Sequence, residues 1–136
     1  MNLTYTTSFT VLPKDCNYHI PMIFGGEFFS RMDLAAAACV SRLLHDSECD
    51  SAVTHKFDGE FLAAAEMGDI IFLNCEVVEI RYKAVKVEVK AYREKRATDG
   101  QELIATANFV FVTKKEGVFC RHLLPEYKKE KNEKKQ

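Results

Sequence analysis

The sequence predicts an α+β domain: an antiparallel sheet of about five strands wrapped round one long, buried helix. Three observations carry this. A stretch beginning at Gly25-Gly26 has strong helix formers, no internal glycine or proline, and apolar residues on nearly every face. The segments on either side of it are strand-like, with a period of two clearest at Val85, Val87, Val89 and Ala91. With 136 residues there is room for one domain, long enough to bury about two-thirds of its unfolded surface.

Thr4 to Leu12 is rich in Thr, Tyr, Phe and Val and stops at Pro13, which reads as a first strand. Pro13 to Phe24 is a loop, polar at Lys14, Asp15, Asn17 and His19 and broken again by Pro21. The helix EFFSRMDLAAAACVSRLLHD follows. A helix apolar nearly all round is buried rather than laid on a surface, and its alanines let a sheet approach on several sides. Ser51 to Phe57 is the next strand, and Gly68-Asp69 turns the chain into IIFLNCEVVEI. In KAVKVEVKAYRE the valines alternate with Lys86, Glu88, Lys90 and Tyr92, the pattern of a strand with one wet face. Thr98-Asp99-Gly100 supplies turn chemistry. The closing strand, Glu102 to Thr113, is expected to put Leu103, Ala105, Ala107, Phe109 and Phe111 on one face. Residues 127–136, EYKKEKNEKKQ after its first glutamate, lack apolar periodicity and are expected to form a charged, disordered tail to a domain at 1–126.

Composition narrows function. A hydrophobic fraction of 47% excludes a disordered chain, and a net charge of −1 offers no basic field for nucleic acid. No apolar run approaches the roughly 20 residues of a membrane span. MNLTYTTSFTVLP lacks the basic and continuous apolar regions of a secretion signal. The five cysteines are odd in number and form no CxxC pair, which argues against zinc and disulfides and fits reduced thiols in a cytoplasmic protein.

Asp33 is the residue that most needs a reason. It lies between Met32 and Leu34 in the apolar helix, where an ionised carboxylate requires compensation. A structural Asp33 would bond a loop, Arg31 or a partner chain; a functional one would be an acid, base or nucleophile held in a low-dielectric cleft. Gly25-Gly26 at the helix start lets a ligand approach unpaired amides beside the positive end of the helix dipole, a place to hold an oxyanion. Asp33 is eight residues on, roughly 12 Å of helix rise away. That is too far for the acid to attack a carbonyl held on its own helix's first amides. A second copy of the domain would bring the acid in across an interface.

The run FGGEFFSRMDLAAAACVSR, preceded by Asp15-Cys16-Asn17 and followed by VTHKFDGEFLAAAEMGDII, resembles the acyl-CoA thioesterases of the hot-dog fold, and within them the cytosolic acyl-CoA hydrolase subfamily. Ala107-Asn108-Phe109-Val110-Phe111-Val112 and Leu124-Pro125 extend the likeness over about residues 8–126. The resemblance implies hydrolysis of the thioester of a fatty or other acyl-CoA to free acid and coenzyme A, without metal or organic cofactor. It implies Asp33 as general base or nucleophile, the Gly25 and Gly26 amides as the oxyanion site, and Asn17 as the loop residue positioning water or carbonyl from a partner chain. A homodimer is then the minimal active unit, within a tetramer or hexamer, with no membrane or nucleic-acid partner.

The sequence also departs from that pattern. One extra residue stands between Asn17 and Phe24 and the loop glycine is missing, which makes His19 a rival to Asn17. Phe61-Leu62-Ala63-Ala64 lacks the family's proline. Arg81-Tyr82-Lys83-Ala84 replaces a Gly-x-Ser/Thr turn that contacts coenzyme A, leaving Arg81 and Lys83 as charges for its phosphates. Two other readings follow: an enoyl-thioester hydratase or dehydratase using His19 with Asp33, and a non-catalytic acyl-CoA binding module. His45, His55 and His122 carry no metal pattern, and His122 beside Arg121 is expected on the surface.

Overall fold

The computed structural model describes residues 1–94, 100–122 and 124–130. Strand β1 (Thr4–Thr10) leads through a single 3-10 turn at Pro13–Asp15 to helix α1 (Gly25–Leu43). Four long strands follow: β2 (Ser51–Phe61), β3 (Ile70–Arg81), β4 (Ala84–Glu94) and β5 (Gln101–Lys115). Two short pairings, β6 (Val118–Phe119) and β7 (Tyr127–Lys128), complete the sheet. The long strands lie in the order β1-β3-β4-β5-β2, all antiparallel, with β6 on β5 and β7 on β3. One helix against one large antiparallel sheet is the architecture the sequence predicts.

Strand β4 shows why the period-two reading works: Val85, Val87, Val89 and Ala91 are fully buried against the helix. The helix answers with Phe28, Met32, Ala35, Ala36, Cys39, Val40 and Leu43, a stripe at three- and four-residue spacing. Its other face is not covered. Leu34 is 69% exposed and Ala37 and Ala38 are half-buried, so within one chain the sheet wraps one side of the helix rather than several. Alanine and leucine are good helix formers wherever they point, which is why composition alone overstates the burial.

Strand β5 differs from expectation at one residue. Ala105 pairs with Ala91 and Leu103 with Tyr92, which leaves Ile104 as an extra residue in the ladder. The bulge buries Ile104 and Ala105 together and leaves Leu103, expected inside, only half-buried. The freed Ile104 carbonyl accepts the N–H groups of Leu62 (2.7 Å) and Ala63 (3.2 Å), catching the chain as it leaves β2. Strand β2 is an edge and runs to Phe61, four residues past its expected end. Nearly all of it is exposed, including Val53, Phe57 and Phe61.

Tyr127 and Lys128, where the sequence reading starts its tail, pair with Ile80 and Glu79, and Lys129 Nζ donates to Glu76 at 2.8 Å. Tyr127 packs against the core, which a lysine-rich flank conceals in the sequence. Residues 131–136 lie outside the described residues, as do Thr98 and Asp99 of the proposed turn. Among the described residues no helix is long and apolar enough to cross a membrane.

Candidate active site

Phe24, in extended conformation, precedes the helix and provides no side-chain cap. The first-turn amides of α1 thus have neither a capping side chain nor an acceptor one turn back. A Cβ added at Gly25 would meet only the Phe61 ring at 3.6 Å, and one at Gly26 only the Phe24 ring at 3.8 Å. Those are ordinary contacts. The packing of this chain therefore does not require glycine at either position, whereas a ligand approaching the amides would.

The loop before the helix is held by Asp15, a buried carboxylate to which the sequence reading assigns no role. It accepts the Leu12 N–H at 2.9 Å and lies 3.4 Å from the Arg31 guanidinium, while Lys14 reaches it from the outside. The Leu12 amide does most to hold the Asp15 carboxyl below its ordinary range; burial opposes this, and the charges of Lys14 and Arg31 add to it. Arg31 also pairs with Glu27 and lies over the Phe9 ring at 4.6 Å. The Asp15 carbonyl accepts the Phe24 N–H at 2.9 Å, so one residue fixes both the loop and the entry to α1. Asn17 sits between these anchors. Its Oδ1 accepts the His19 N–H at 3.1 Å and its own N–H donates to Met22, an Asx turn that carries its side chain on the loop.

Asp33 lies on the side of α1 that faces the edge strand. Thr54 Oγ1 donates to Asp33 Oδ1 at 2.8 Å. Among the described residues Oδ2 has no protein partner, and Arg31, expected as a possible counter-ion, is engaged by Asp15 and Glu27 instead. Immediately after Thr54 the β2–β5 register slips at His55, a bulge that re-aims the strand's side chains beside the helix. Thr54 is the candidate-site residue that the sequence reading does not single out. The signal was a Val-Thr pair opening a strand, with nothing in the sequence to show that the helix and this edge would be neighbours.

The carboxylate, the helix start and the loop are not joined within one chain. Among the described residues no hydrogen bond links Asn17 or His19 to Asp33. His19 is exposed, with Tyr18 edge-on at 5.8 Å. Between α1 and β2 lies a cavity of about 360 Å³, lined by Phe29, Met32, Phe57, Gly59, Phe61 and Ala107 among others. Asp58 and Glu60 also border it, and Asp58 accepts from Asn108.

The remaining candidates lie at the β3–β4 turn. Arg81 is 70% exposed and pairs with Glu79; the Lys83 carbonyl accepts the Thr113 N–H. A shallow cavity of about 530 Å³ opens beside Arg81, Tyr82 and Lys128. His122, expected on the surface, is buried: its Nε2 bonds the Arg81 carbonyl and its Nδ1 accepts the Leu124 N–H. Two main-chain partners satisfy the ring, which a sequence cannot display. Among the described residues no cluster of three His, Cys, Asp or Glu could hold a metal ion, and none of the five cysteines is joined to another.

A helix half-wrapped by a five-strand antiparallel sheet, with a carboxylate on its flank and an uncapped Gly-Gly start, defines a hot-dog domain with a candidate acyl-transfer site. The thioesterase superfamily model matches residues 20–99, and the chain belongs to that superfamily. Its fold is similar to that of an asparagine-to-alanine mutant of an acyl-CoA hydrolase from Staphylococcus aureus in complex with coenzyme A, with a TM-score of 0.83 and 21% identity over 95% of this chain and 74% of that one. Other solved structures of that hydrolase have an aspartate or a threonine replaced by alanine. An apo-hexameric acyl-CoA thioesterase matches with a TM-score of 0.77 and 22% identity over 96% of this chain and 80% of that one. A hexameric broad specificity acyl-coenzyme A thioesterase matches with 0.75 and 21% over 88% and 80%. Comparison with curated protein sequences gives no significant match.

Proposed function

We propose that this protein is an acyl-CoA thioesterase, acting as an oligomer whose smallest active unit is a dimer. One observation carries the reading: a half-buried carboxylate, Asp33, oriented by Thr54 and open at Oδ2, in a thioesterase-superfamily chain whose helix starts with bare amides. Asp33 serves as general base on water or as nucleophile on the thioester carbonyl. The amides of Gly25 and Gly26 receive the developing oxyanion, and coenzyme A leaves as thiolate, protonated from solvent. Reaction of acyl-CoA with water gives free acid and coenzyme A, so no oxidant or cofactor enters the balance.

The oligomer is supported by two features. Asp33 is roughly 12 Å of helix rise from its own Gly25, and the edge strand β2 and the Leu34 face of α1 both expose apolar side chains. Two facing chains would cover these surfaces and bring the acid of one to the helix start and Asn17 of the other. Two thioesterases of similar fold are hexameric, which supports an oligomer here. Arg81 and Lys83 at an exposed turn are the charges assigned to the coenzyme A phosphates, and five unjoined thiols suit a reducing cytoplasm.

The test is release of free thiol from a panel of acyl-CoAs by the purified chain, with Asp33→Ala in parallel. Turnover of at least one acyl-CoA, lost in the variant, is the expected result. Unchanged turnover in Asp33→Ala on every active substrate would remove the acid from the mechanism.

A further inference from the structure

The cavity between α1 and β2 has a shape that bears on which acyl group the protein takes. Phe57, Gly59 and Phe61 alternate along β2 and so share the face turned to the helix. The glycine leaves a gap between two rings. It is also sterically fixed: a Cβ there would lie 2.5 Å from the Thr106 carbonyl oxygen and 2.8 Å from the Ala107 Cα. The floor of the gap is therefore backbone, and no side chain can be placed on it without moving β2 off β5.

The two ends of the gap differ. At one end Phe61 rests against the position of Gly25, 3.6 Å from where a Cβ would be, and packs on Phe28 at 5.3 Å between ring centroids. Here one ring, half of it exposed, stands between the helix start and the gap. At the other end three rings close on one another: Phe29–Phe57 at 4.8 Å, Phe29–Phe109 at 5.6 Å and Phe57–Phe109 at 6.5 Å. Phe109 is fully buried in the core, so the cluster cannot retreat inward, and Phe57, 58% exposed, is the ring that can yield outward. Four residues of extended strand separate Phe61 from Phe57, about 14 Å between their Cα atoms. A fully extended palmitoyl chain is longer than that.

We infer that this cavity is the acyl subsite and that the Phe29–Phe57–Phe109 cluster is its end wall, making the protein selective for short acyl groups over long ones. The inference rests on the thioesterase reading above for the position of the carbonyl at Gly25 and Gly26. From there the acyl group passes Phe61, lies over Gly59 beside Met32, and ends at Phe57. Butyryl fits within the gap. A palmitoyl chain would have to displace Phe57 from its tilted contacts with Phe29 and Phe109.

The experiment compares kcat/KM for butyryl-CoA and palmitoyl-CoA in the wild type, Phe57→Ala and Phe57→Trp. Because the ratio is internal to each enzyme, partial loss of folded protein cancels. The wild type should favour butyryl-CoA at least tenfold, Phe57→Ala should shrink that preference at least tenfold, and Phe57→Trp should widen it. A wild type indifferent to chain length, or a ratio unmoved by both substitutions, overturns the inference. If no acyl-CoA is hydrolysed at all, the activity reading fails and the subsite is decided by binding of butyl-CoA and hexadecyl-CoA thioethers. Preference for the butyl thioether, relieved in Phe57→Ala, upholds the wall; equal affinities reject it.

Discussion

Thr54 and Asp33 meet across the boundary between the edge strand and the helix, the threonine hydroxyl donating to Oδ1 at 2.8 Å. A hydroxyl in that place does two things to a carboxylate. It helps fix the plane of the group, and it occupies one acceptor site of Oδ1 while Oδ2 takes no hydrogen bond from the described residues. The bulge at His55 directly after Thr54 belongs to the same device, because it sets where the strand's side chains point.

Asp33→Ala is expected to lower thioester hydrolysis by about 10²- to 10⁴-fold, the usual range for a positioned proton-transfer group. Thr54→Ala should cost roughly 10- to 100-fold through loss of one bond to a charged group, and Thr54→Ser should recover most of it. Steady-state kinetics on one short acyl-CoA reads all three. If Thr54→Ser is as poor as Thr54→Ala, the hydroxyl is not what matters.

The parts legible in the sequence were those with a local period. Val85, Val87, Val89 and Ala91 announce a half-wet strand by themselves, and the loop, Gly-Gly and Asp33 can be picked out from residue type and spacing. What stayed hidden depends on neighbours distant in the chain. Nothing near Ile104 signals the bulge that buries it and lifts Leu103, and nothing near His122 signals two main-chain partners 41 and 2 residues away. Thr54 reaches Asp33 only because β2 takes the edge beside α1, a matter of sheet order rather than of sequence pattern.

Asp15 and Arg31 give a pH dependence. The native Asp15 carboxyl is held below its ordinary value of 3.8, chiefly by the Leu12 amide, so it favours the folded state when ionised. That contribution is complete above the ordinary value and is lost as pH falls through the lower native one. Asp15→Asn should therefore melt below the wild type by a constant margin, roughly 1 kcal/mol, from neutral pH down to about 4. The margin should close at lower pH. Thermal melts between pH 7 and pH 2 check this, and a gap that persists unchanged at pH 2 would show that the charge is not its source.

Gly59 tests the contact between β2 and β5. A methyl group 2.5 Å from the Thr106 oxygen must push the edge strand outward along its ladder. Gly59→Ala is expected to destabilise by about 1–3 kcal/mol, the range of overpacked sites, and to lower the melting temperature by roughly 5 °C or more. A melt within 1 °C or so of the wild type would mean that the two strands part without cost.

The thiols divide by burial. Desolvation pushes Cys39 and Cys49 up to about 11 and Cys75 to about 12, and all three are buried. Cys16 and Cys120 are half-buried. A thiol-specific disulfide reagent at neutral pH should modify Cys16 and Cys120 quickly and the other three only on unfolding. Peptide mapping after a brief exposure reads the outcome, and early labelling of Cys75 would contradict the core packing around it.

The proposed dimeric site makes a prediction that a site within one chain does not. If Asp33 of one chain serves the same catalytic centre as Asn17 of its partner, a mixed dimer of Asp33→Ala and Asn17→Ala contains one centre with both residues intact and one with neither. Each parent alone has no intact centre. Counting centres in a two-fold dimer, co-expression in equal amounts should restore about a quarter of wild-type turnover, provided subunits pair at random. Differently tagged subunits purified in two steps isolate the mixed dimer, which should reach about half. No gain over the parents would place Asp33 and Asn17 in the same chain's centre, and the 12 Å of helix between Asp33 and Gly25 would then have to be closed by a movement of α1 rather than by a second subunit.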